Sequence, residues 1–309
     1  SCSIFEDENG SFFFRHDFQK DFSERQKYET FTDFSNPSAF LPLAIRLGIE
    51  IKIIFVIGNK TPLMTKSEIQ FVKSLSDKRA REQSGLFVAE GRKLVDEILH
   101  SQFAVHRLYY TGQDFWDGRG QAVSPKEMER ISQLKTTTDC LAVVRIPHRD
   151  LSADNLKGSL VIALDGVQNP GNMGTIIRLA DWFGIGDVVC SPCSADCFNP
   201  KVVQATMGAI LRVRVHYTDL PDFLRQALDA GLPVYGTTLD GNDIYSETLS
   251  ADGVLVMGSE GSGLCREVAE LLSRRLYIPP FPPQRCGSES LNVAVATAVV
   301  CSEFRRRRI

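Results

Sequence analysis

Six polar residues in or beside three short segments could take part in chemistry. They are Asn169, Asn172 and Arg178, then Glu260, then Ser290 and Asn292. The segments are QNPGNMG (168–174), GSEGSG (258–263) and PPFPPQRCGSES (279–290). Their glycines allow backbone close to a ligand, and Asn and Ser offer neutral donors and acceptors. No histidine falls in them, which disfavours a Ser-His-Asp arrangement. The dinucleotide pattern GxGxxG fits Gly261 and Gly263 but meets Arg266 at its third glycine. The phosphate loop GxxxxGK[ST] fails because Leu264 follows Gly263, and the nucleophile elbow GxSxG fails because Met257 stands two before Ser259. Taken singly, each residue has a plain structural reading. Asn172 would cap a helix starting near Gly174, Arg178 would be a surface residue, Glu260 would bond loop amides, and Ser290 would cap the last helix.

The elements around them suggest more. A strand-like run, VIALD (161–165), enters the first segment, which feeds a helix-like run, TIIRLADWFGI. That is the layout of a ligand loop at the carboxyl end of a strand in an α/β sheet. From Ser159 onward, the strand-like runs are LVIALDG, IGDVVCSP, LPVYGTTL, GVLVMGSE and RRLYIPP. Helical runs lie between them: TIIRLADWFG, NPKVVQATMGAIL, LPDFLRQALDAG and LCREVAELLSR. The chain closes with SLNVAVATAVVCSEFRRR, a long apolar-faced helix. This alternation predicts an α/β fold with a parallel sheet covered on both faces, its loops converging at one end.

Residues 64–150 read as a smaller α/β domain. Helical periodicity holds over Ser67–Leu75 and EGRKLVDEILHS, and strands are expected at GLFVAEG, HRLYYTG and CLAVVRIP. A polar link, HRDLSADNLKG, leads into the domain spanning 151–309. Residues 1–63 differ in texture, being rich in Phe, Asp, Glu and Ser, with a β-like run, IEIKIIFVIG, near their end. Met64 reads as a natural start, and 1–63 is expected to be a poorly ordered extension from an over-extended reading frame.

Composition bounds the rest. A chain of 309 residues holds two ordinary domains. Its most apolar stretch, LPLAIRLGIEIKIIFVIG, is broken by Arg46, Glu50 and Lys52, so no membrane span is expected. No signal peptide is visible, and a cytoplasmic location is expected. Eight cysteines do not make a disulfide scaffold at this length. Cys190, Cys193 and Cys197 cluster without a fourth ligand, so no metal is expected. The net charge of −3 leaves room for a local basic patch. Lys66, Lys73, Lys78, Arg79, Arg81, Arg92 and Lys93 read as a solvated helix face, and RRRR (305–308) as a solubilising tail.

The three segments together resemble the SpoU (TrmH-like) family of RNA ribose 2′-O-methyltransferases. The first motif is NPGNMGTIIRLADWFG, with Asn172, Gly174 and Arg178 as its Asn-x-Gly-x-x-x-Arg core. The second is VMGSEGSGL (256–264), and the third is IP followed by SLNVAVATA (290–298). Between Ile278 and Ser290 the chain carries FPPQRCG, a longer loop than expected, on the wall of the implied cofactor pocket. SLSDKRAREQSGLFVAEGRKLV resembles the small RNA-binding domain of many members, similar to one found among ribosomal proteins.

The resemblance implies a deep trefoil knot, a recognised exception to unknotted topology, and a homodimer formed through it. The implied cofactor is S-adenosyl-L-methionine, held by backbone around Thr237, Gly258, Ile278 and Leu291. The implied partner is structured RNA, ribosomal before transfer RNA. Arg178 would assist loss of the ribose 2′-OH proton. Arginine is ordinarily protonated far above neutral pH, so two roles stay open: a base made competent by desolvation or neighbouring charge, or a cation stabilising the developing alkoxide. Asn172 would shape the first loop, Glu260 would fix the second, and Ser290 and Asn292 would complete the ribose and cofactor contacts. A non-catalytic RNA-binding or ribosome-assembly protein on the same fold is the alternative. A metal-dependent regulator using the Cys190–Cys197 loop is a weaker third reading.

Overall fold

The computed structural model describes residues 2–6, 12–16, 64–152, 156–282 and 290–307. Residues 1–62 form a unit of their own. Its described part is β1 (Cys2–Glu6) paired antiparallel with β2 (Phe12–His16). The remainder of the expected extension, including the run IEIKIIFVIG, lies outside the described residues.

The second unit, Leu63–Ile309, opens on a capped helix. Glu68 N–H donates to Thr65 Oγ1 at 3.1 Å, and Thr65 N–H donates to Glu68 Oε2 at 2.9 Å. This reciprocal box starts α1 (Lys66–Ser74). Asp77 caps α2 (Lys78–Ser84), which ends at Gly85 in the left-handed region, φ 65°. The small domain continues with β3 (Leu86–Glu90), α3 (Arg92–Leu99), β4 (Val105–Tyr110), β5 (Gln121–Ala122), α4 (Pro125–Ile131) and β6 (Cys140–Arg145). Its sheet runs β3-β6-β4-β5. The three expected strands are present, and α2, α4 and β5 are additions.

The larger domain begins with β7 (Leu160–Asp165), α5 (Pro170–Trp182), β8 (Asp187–Cys190), α6 (Pro200–Ala205), a 3₁₀ turn (Ala209–Leu211) and β9 (Arg214–Tyr217). It continues with α7 (Leu220–Asp229), β10 (Val234–Asp243), β11 (Gly253–Gly258), α8 (Arg266–Ala269), β12 (Arg274–Tyr277) and α9 (Val293–Arg306). Its strands pair in parallel in the order β12-β10-β11-β7-β8-β9. Alternate residues of β7 explain its continuous apolar run. Leu160, Ile162 and Leu164 pack with Ile176 and Ile177 of α5 and Val300 and Phe304 of α9. Val161 and Ala163 pack with Phe223 and Leu224 of α7 and Val268 of α8. Both faces are buried, as a parallel sheet requires.

Two readings of basic residues need correction. Arg81 belongs to no solvated face; it is 1% exposed, and its Nε donates to Asp196 Oδ2 of the larger domain at 2.9 Å. Arg305–Arg307 do not form a free tail. Arg305 donates to the Phe183 and Gly184 carbonyls at 2.7 and 3.2 Å, and Arg307 to the Ile244 carbonyl at 2.8 Å and to that of Glu247. Phe183 and Gly184 follow the end of α5, where carbonyls lack intrahelical partners, and the Arg305 guanidinium supplies them. Arg308 lies outside the described residues. The thiols of Cys190 and Cys197 are core groups whose pKa values burial pushes up. Among the described residues no group of three or more His, Cys, Asp or Glu gathers as a metal site, and no helix is long and apolar enough to cross a membrane.

Candidate active site

The carboxyl ends of β7 and β11 are neighbours, with Asp165 in register with Gly258. The first and second segments therefore leave the sheet side by side. Pro170 is the first residue of α5 and Asn169 is its cap, its Oδ1 accepting from Gly171 and Asn172 N–H at 2.8 and 3.2 Å. Gly174 faces α6, where a Cβ would collide with Ala205 and the Val202 carbonyl. The second segment folds back on itself. Ser259 and Gly263 exchange two backbone hydrogen bonds of 3.0 Å, leaving no room for a Cβ on Gly258.

With Asn169 doing the capping, the Asn172 side chain is released for other work. Its Nδ2 donates to Glu260 Oε1 at 2.6 Å. Asn292 Nδ2 donates to the same Glu260 oxygen at 2.6 Å and to Asn172 Oδ1 at 3.1 Å. Asn292 Oδ1 meanwhile caps α9 by accepting from Ala294 and Val295 N–H at 3.0 and 3.3 Å. The helix-capping reading thus belongs to Asn169 and Asn292 and not to Asn172 and Ser290. The result is a closed triangle of one carboxylate and two carboxamides, with Asn172 and Glu260 from the first two segments and Asn292 just beyond the third. Ser290 and Leu291 are exposed immediately before Asn292. Arg178 is exposed on α5, six residues beyond Asn172, with no ion pair among the described residues.

A cavity borders the second segment, and three strands of the sheet lie on its other side. The cavity, of about 660 Å³, is lined by Asp165, Gln168, Asn169, Cys193, Glu260 and Cys265 among others. Asp165 is buried in its wall, with Oδ2 accepting from Cys265 N–H at 2.7 Å. Of these cavity-lining residues the sequence reading noted Cys193 only as part of a cysteine cluster and did not single out Asp165, Gln168 or Cys265. The position of Asp165 at the carboxyl end of VIALD was the available signal. On the other side, β12, β10 and β11 lie next to one another. Thr237 is in register with Leu276, two residues before Ile278, and its Oγ1 approaches Met257 Sδ at 3.6 Å beside Gly258. Thr237 within β10, Gly258 at the end of β11 and Ile278 just past β12 are each half-buried. That arrangement suits a cofactor presenting many polar edges.

The small domain matches the MRM3-like substrate binding domain over residues 66–142, and the larger one matches the SpoU rRNA Methylase family over residues 159–302. The chain is 30% identical over 240 residues to the 23S rRNA (guanosine(2553)-2′-O)-methyltransferase RlmP of Bacillus subtilis (strain 168), covering 75% of this chain and 94% of that protein. The chain belongs to the SpoU rRNA methylase family. Among solved structures, a TrmH-family protein from Porphyromonas gingivalis is 39% identical with a TM-score of 0.71, covering 79% of this chain and 99% of that one. An AdoMet-bound rRNA methyltransferase from Sinorhizobium meliloti is 28% identical with a TM-score of 0.70, covering 80% and 98%. This SpoU methylase is accordingly an enzyme that uses S-adenosyl-L-methionine. One residue of each family motif, Asn172, Glu260 and Asn292, is tied together at Glu260.

Proposed function

We propose that this SpoU methylase transfers a methyl group from S-adenosyl-L-methionine to a ribose 2′-OH of ribosomal RNA. The observation that carries the reading is the Asn172–Glu260–Asn292 triangle, which joins the three motifs, with an exposed Arg178 six residues along α5 from Asn172. Residues 64–150 bind the RNA and residues 151–309 carry the transfer. Backbone around Thr237, Gly258, Ile278 and Leu291 holds the cofactor, which supplies a methyl group already activated on a sulfonium. The chain's own part is to place the acceptor oxygen in line and manage its proton. Asn172 and Glu260 fix the loops, and Ser290 and Asn292 contact the ribose and cofactor. The cavity by Asp165 and Gln168 receives the target nucleotide. Arg178 faces outward, where RNA or a second subunit can enclose it. It acts there as base or as alkoxide stabiliser.

A homodimer through a trefoil-knotted α9 region fits the exposed apolar side chains Trp182 on α5 and Leu291 and Val295 at the start of α9. A cytoplasmic location suits the substrate. Residues 1–63 are dispensable, so a chain starting at Met64 keeps folding and activity; loss of either refutes that.

The decisive experiment incubates labelled S-adenosyl-L-methionine with protein and unmodified ribosomal or transfer RNA, wild type beside Arg178→Ala. The acceptor is mapped by resistance to alkaline cleavage, which needs a free 2′-OH. Transfer by the wild type at a 2′-O site, with a loss of at least ~10²-fold in the variant, is expected. A folded protein that binds the cofactor neither alone nor with RNA returns the reading to a non-catalytic RNA-binding protein.

A further inference from the structure

Among the described residues two ion pairs join the two domains of the Leu63–Ile309 unit: the exposed Arg212–Glu97 pair at 3.2 Å and the largely buried Arg81–Asp196 pair. Arg81 of α2 and Asp196, in the loop after β8, have side chains 2% and 15% exposed. Arg81 Nε and Nη2 donate to Asp196 Oδ2 at 2.9 and 2.5 Å. Its Nη1 donates to the Leu75 and Ser76 carbonyls at 2.8 and 2.9 Å. The other Asp196 oxygen accepts from Phe198 N–H at 2.9 Å. One guanidinium therefore ties the turn after α1 to the 191–199 loop through four directed bonds.

The same loop is bonded, on its other side, to the candidate site. Gly166 N–H donates to Ser191 Oγ at 2.9 Å, Ala195 N–H to the Val167 carbonyl at 2.9 Å, and Ser194 Oγ to the Leu164 carbonyl at 3.2 Å. Cys193 lines the cavity itself. The Tyr217 hydroxyl closes the loop, accepting from Cys197 N–H at 2.7 Å and donating to the Ala195 carbonyl at 2.6 Å. Apolar contacts also cross between the domains. Phe87 meets Phe198 with ring centroids 4.7 Å apart, and Val203 joins the small domain's core. Such contacts hold surfaces together but are non-directional. Arginine's planar array of donors fixes direction.

We infer that Arg81 is a positioning residue. The Arg81–Asp196 pair sets the register of the small domain on the larger one, so that RNA held by the first meets Arg178 and the Glu260 triangle at a fixed distance. The role of RNA rests on the methyltransferase reading; the register does not. A misplacement of about 1 Å at a reacting centre can lower a rate ~10²-fold without weakening binding.

The test replaces both partners, Arg81→Met with Asp196→Asn, so that neither charge is left buried alone. Methyl transfer to a ribosomal RNA fragment is measured as kcat and KM, beside RNA binding. In parallel, the distance distribution is recorded between unnatural labelled side chains replacing the exposed Lys73 and Arg225. The expected result is a folded protein with wild-type RNA Kd and KM, a kcat lowered at least about tenfold, and a broadened distribution. Arg81→Lys, which keeps the charge but not the four bonds, should fall between, and it carries the same test should the double variant not fold. Wild-type kcat, or a distribution as narrow as the wild type's, overturns the inference. If the wild type methylates no RNA, the methyltransferase reading falls. The distribution alone then decides the register, broadening upholding it and unchanged width overturning it.

Discussion

Two carboxylates in this molecule each accept two side-chain N–H bonds and join distant stretches of chain, yet they are built oppositely. Glu260 is exposed and receives neutral amides, from Asn172 and Asn292. Asp196 is largely buried and receives a cation, Arg81. In water-accessible surroundings neutral hydrogen bonds can be exchanged for bonds to a ligand at small net cost. A buried charge pair cannot open without stranding both ions. The first arrangement suits a site that must meet substrate, and the second suits a frame. Glu90 supplies the missing combination. It is buried but has only neutral donors, Ser132 Oγ at 2.6 Å and Gln133 N–H at 2.7 Å. Burial pushes its pKa up, and those two bonds only partly oppose this.

The difference can be tested by substitution. The largest loss of stability should come from Arg81→Met alone, about 3 kcal/mol in denaturant unfolding, because Asp196 is left buried without its cation. Asn292→Ala should cost about 1 kcal/mol by removing the α9 cap, and should also slow methyl transfer. Glu90→Gln should stabilise by less than ~1 kcal/mol at neutral pH. The sign follows from the raised pKa of Glu90. Between the ordinary Glu value, about 4.3, and the folded value, the native state holds more protons than the unfolded one, so wild-type stability falls as pH rises. The advantage of the variant should therefore vanish at acid pH and reach a plateau above the folded pKa; a gain that persists at low pH would contradict this. Glu260→Ala should change stability least, by under ~0.5 kcal/mol, while lowering methyl transfer at least about tenfold. A large stability loss there would make the exposed triangle part of the frame.

Much of this was legible in the sequence, for identifiable reasons. Strands buried on both faces announce themselves as apolar runs, and five of the six in the larger sheet were read directly. β9 was not, because RVHY carries Arg214 and His216, whose polarity is satisfied sideways. Both reach Asp187 of β8, at 2.7 and 3.0 Å. The run LCREVAELLSR promised a longer helix than Arg266–Ala269. The chain is drawn into the sheet early, as Ser273 donates its N–H to the Val234 carbonyl and accepts from Val234 N–H through Oγ. The cap of α5 could have been placed, since Pro170 marks a first helical position and so names Asn169 as its cap. The motif residues were found from their resemblance to a family; their mutual bonding was not visible, because it spans 88 and 120 positions. Arg81 was misread because its partner lies 115 residues downstream and nothing local distinguishes it from Arg79.

That separation has a consequence in time. At synthesis rates of about 5–20 residues per second, Asp196 leaves the peptidyl transferase centre roughly 6–23 s after Arg81. The small domain's sheet can close once β6, ending at Arg145, has been made, which leaves 51 of the residues up to Asp196, roughly 3–10 s, still to come. During the interval Arg81 stands ready with only the Leu75 and Ser76 carbonyls to hold its guanidinium, and the surface that will meet Phe198 and Val203 is open to water. The nascent small domain is thus a folded body with one charged, half-satisfied face. Its first opportunity to bury that face comes with the arrival of the loop that also lines the cavity beside Glu260.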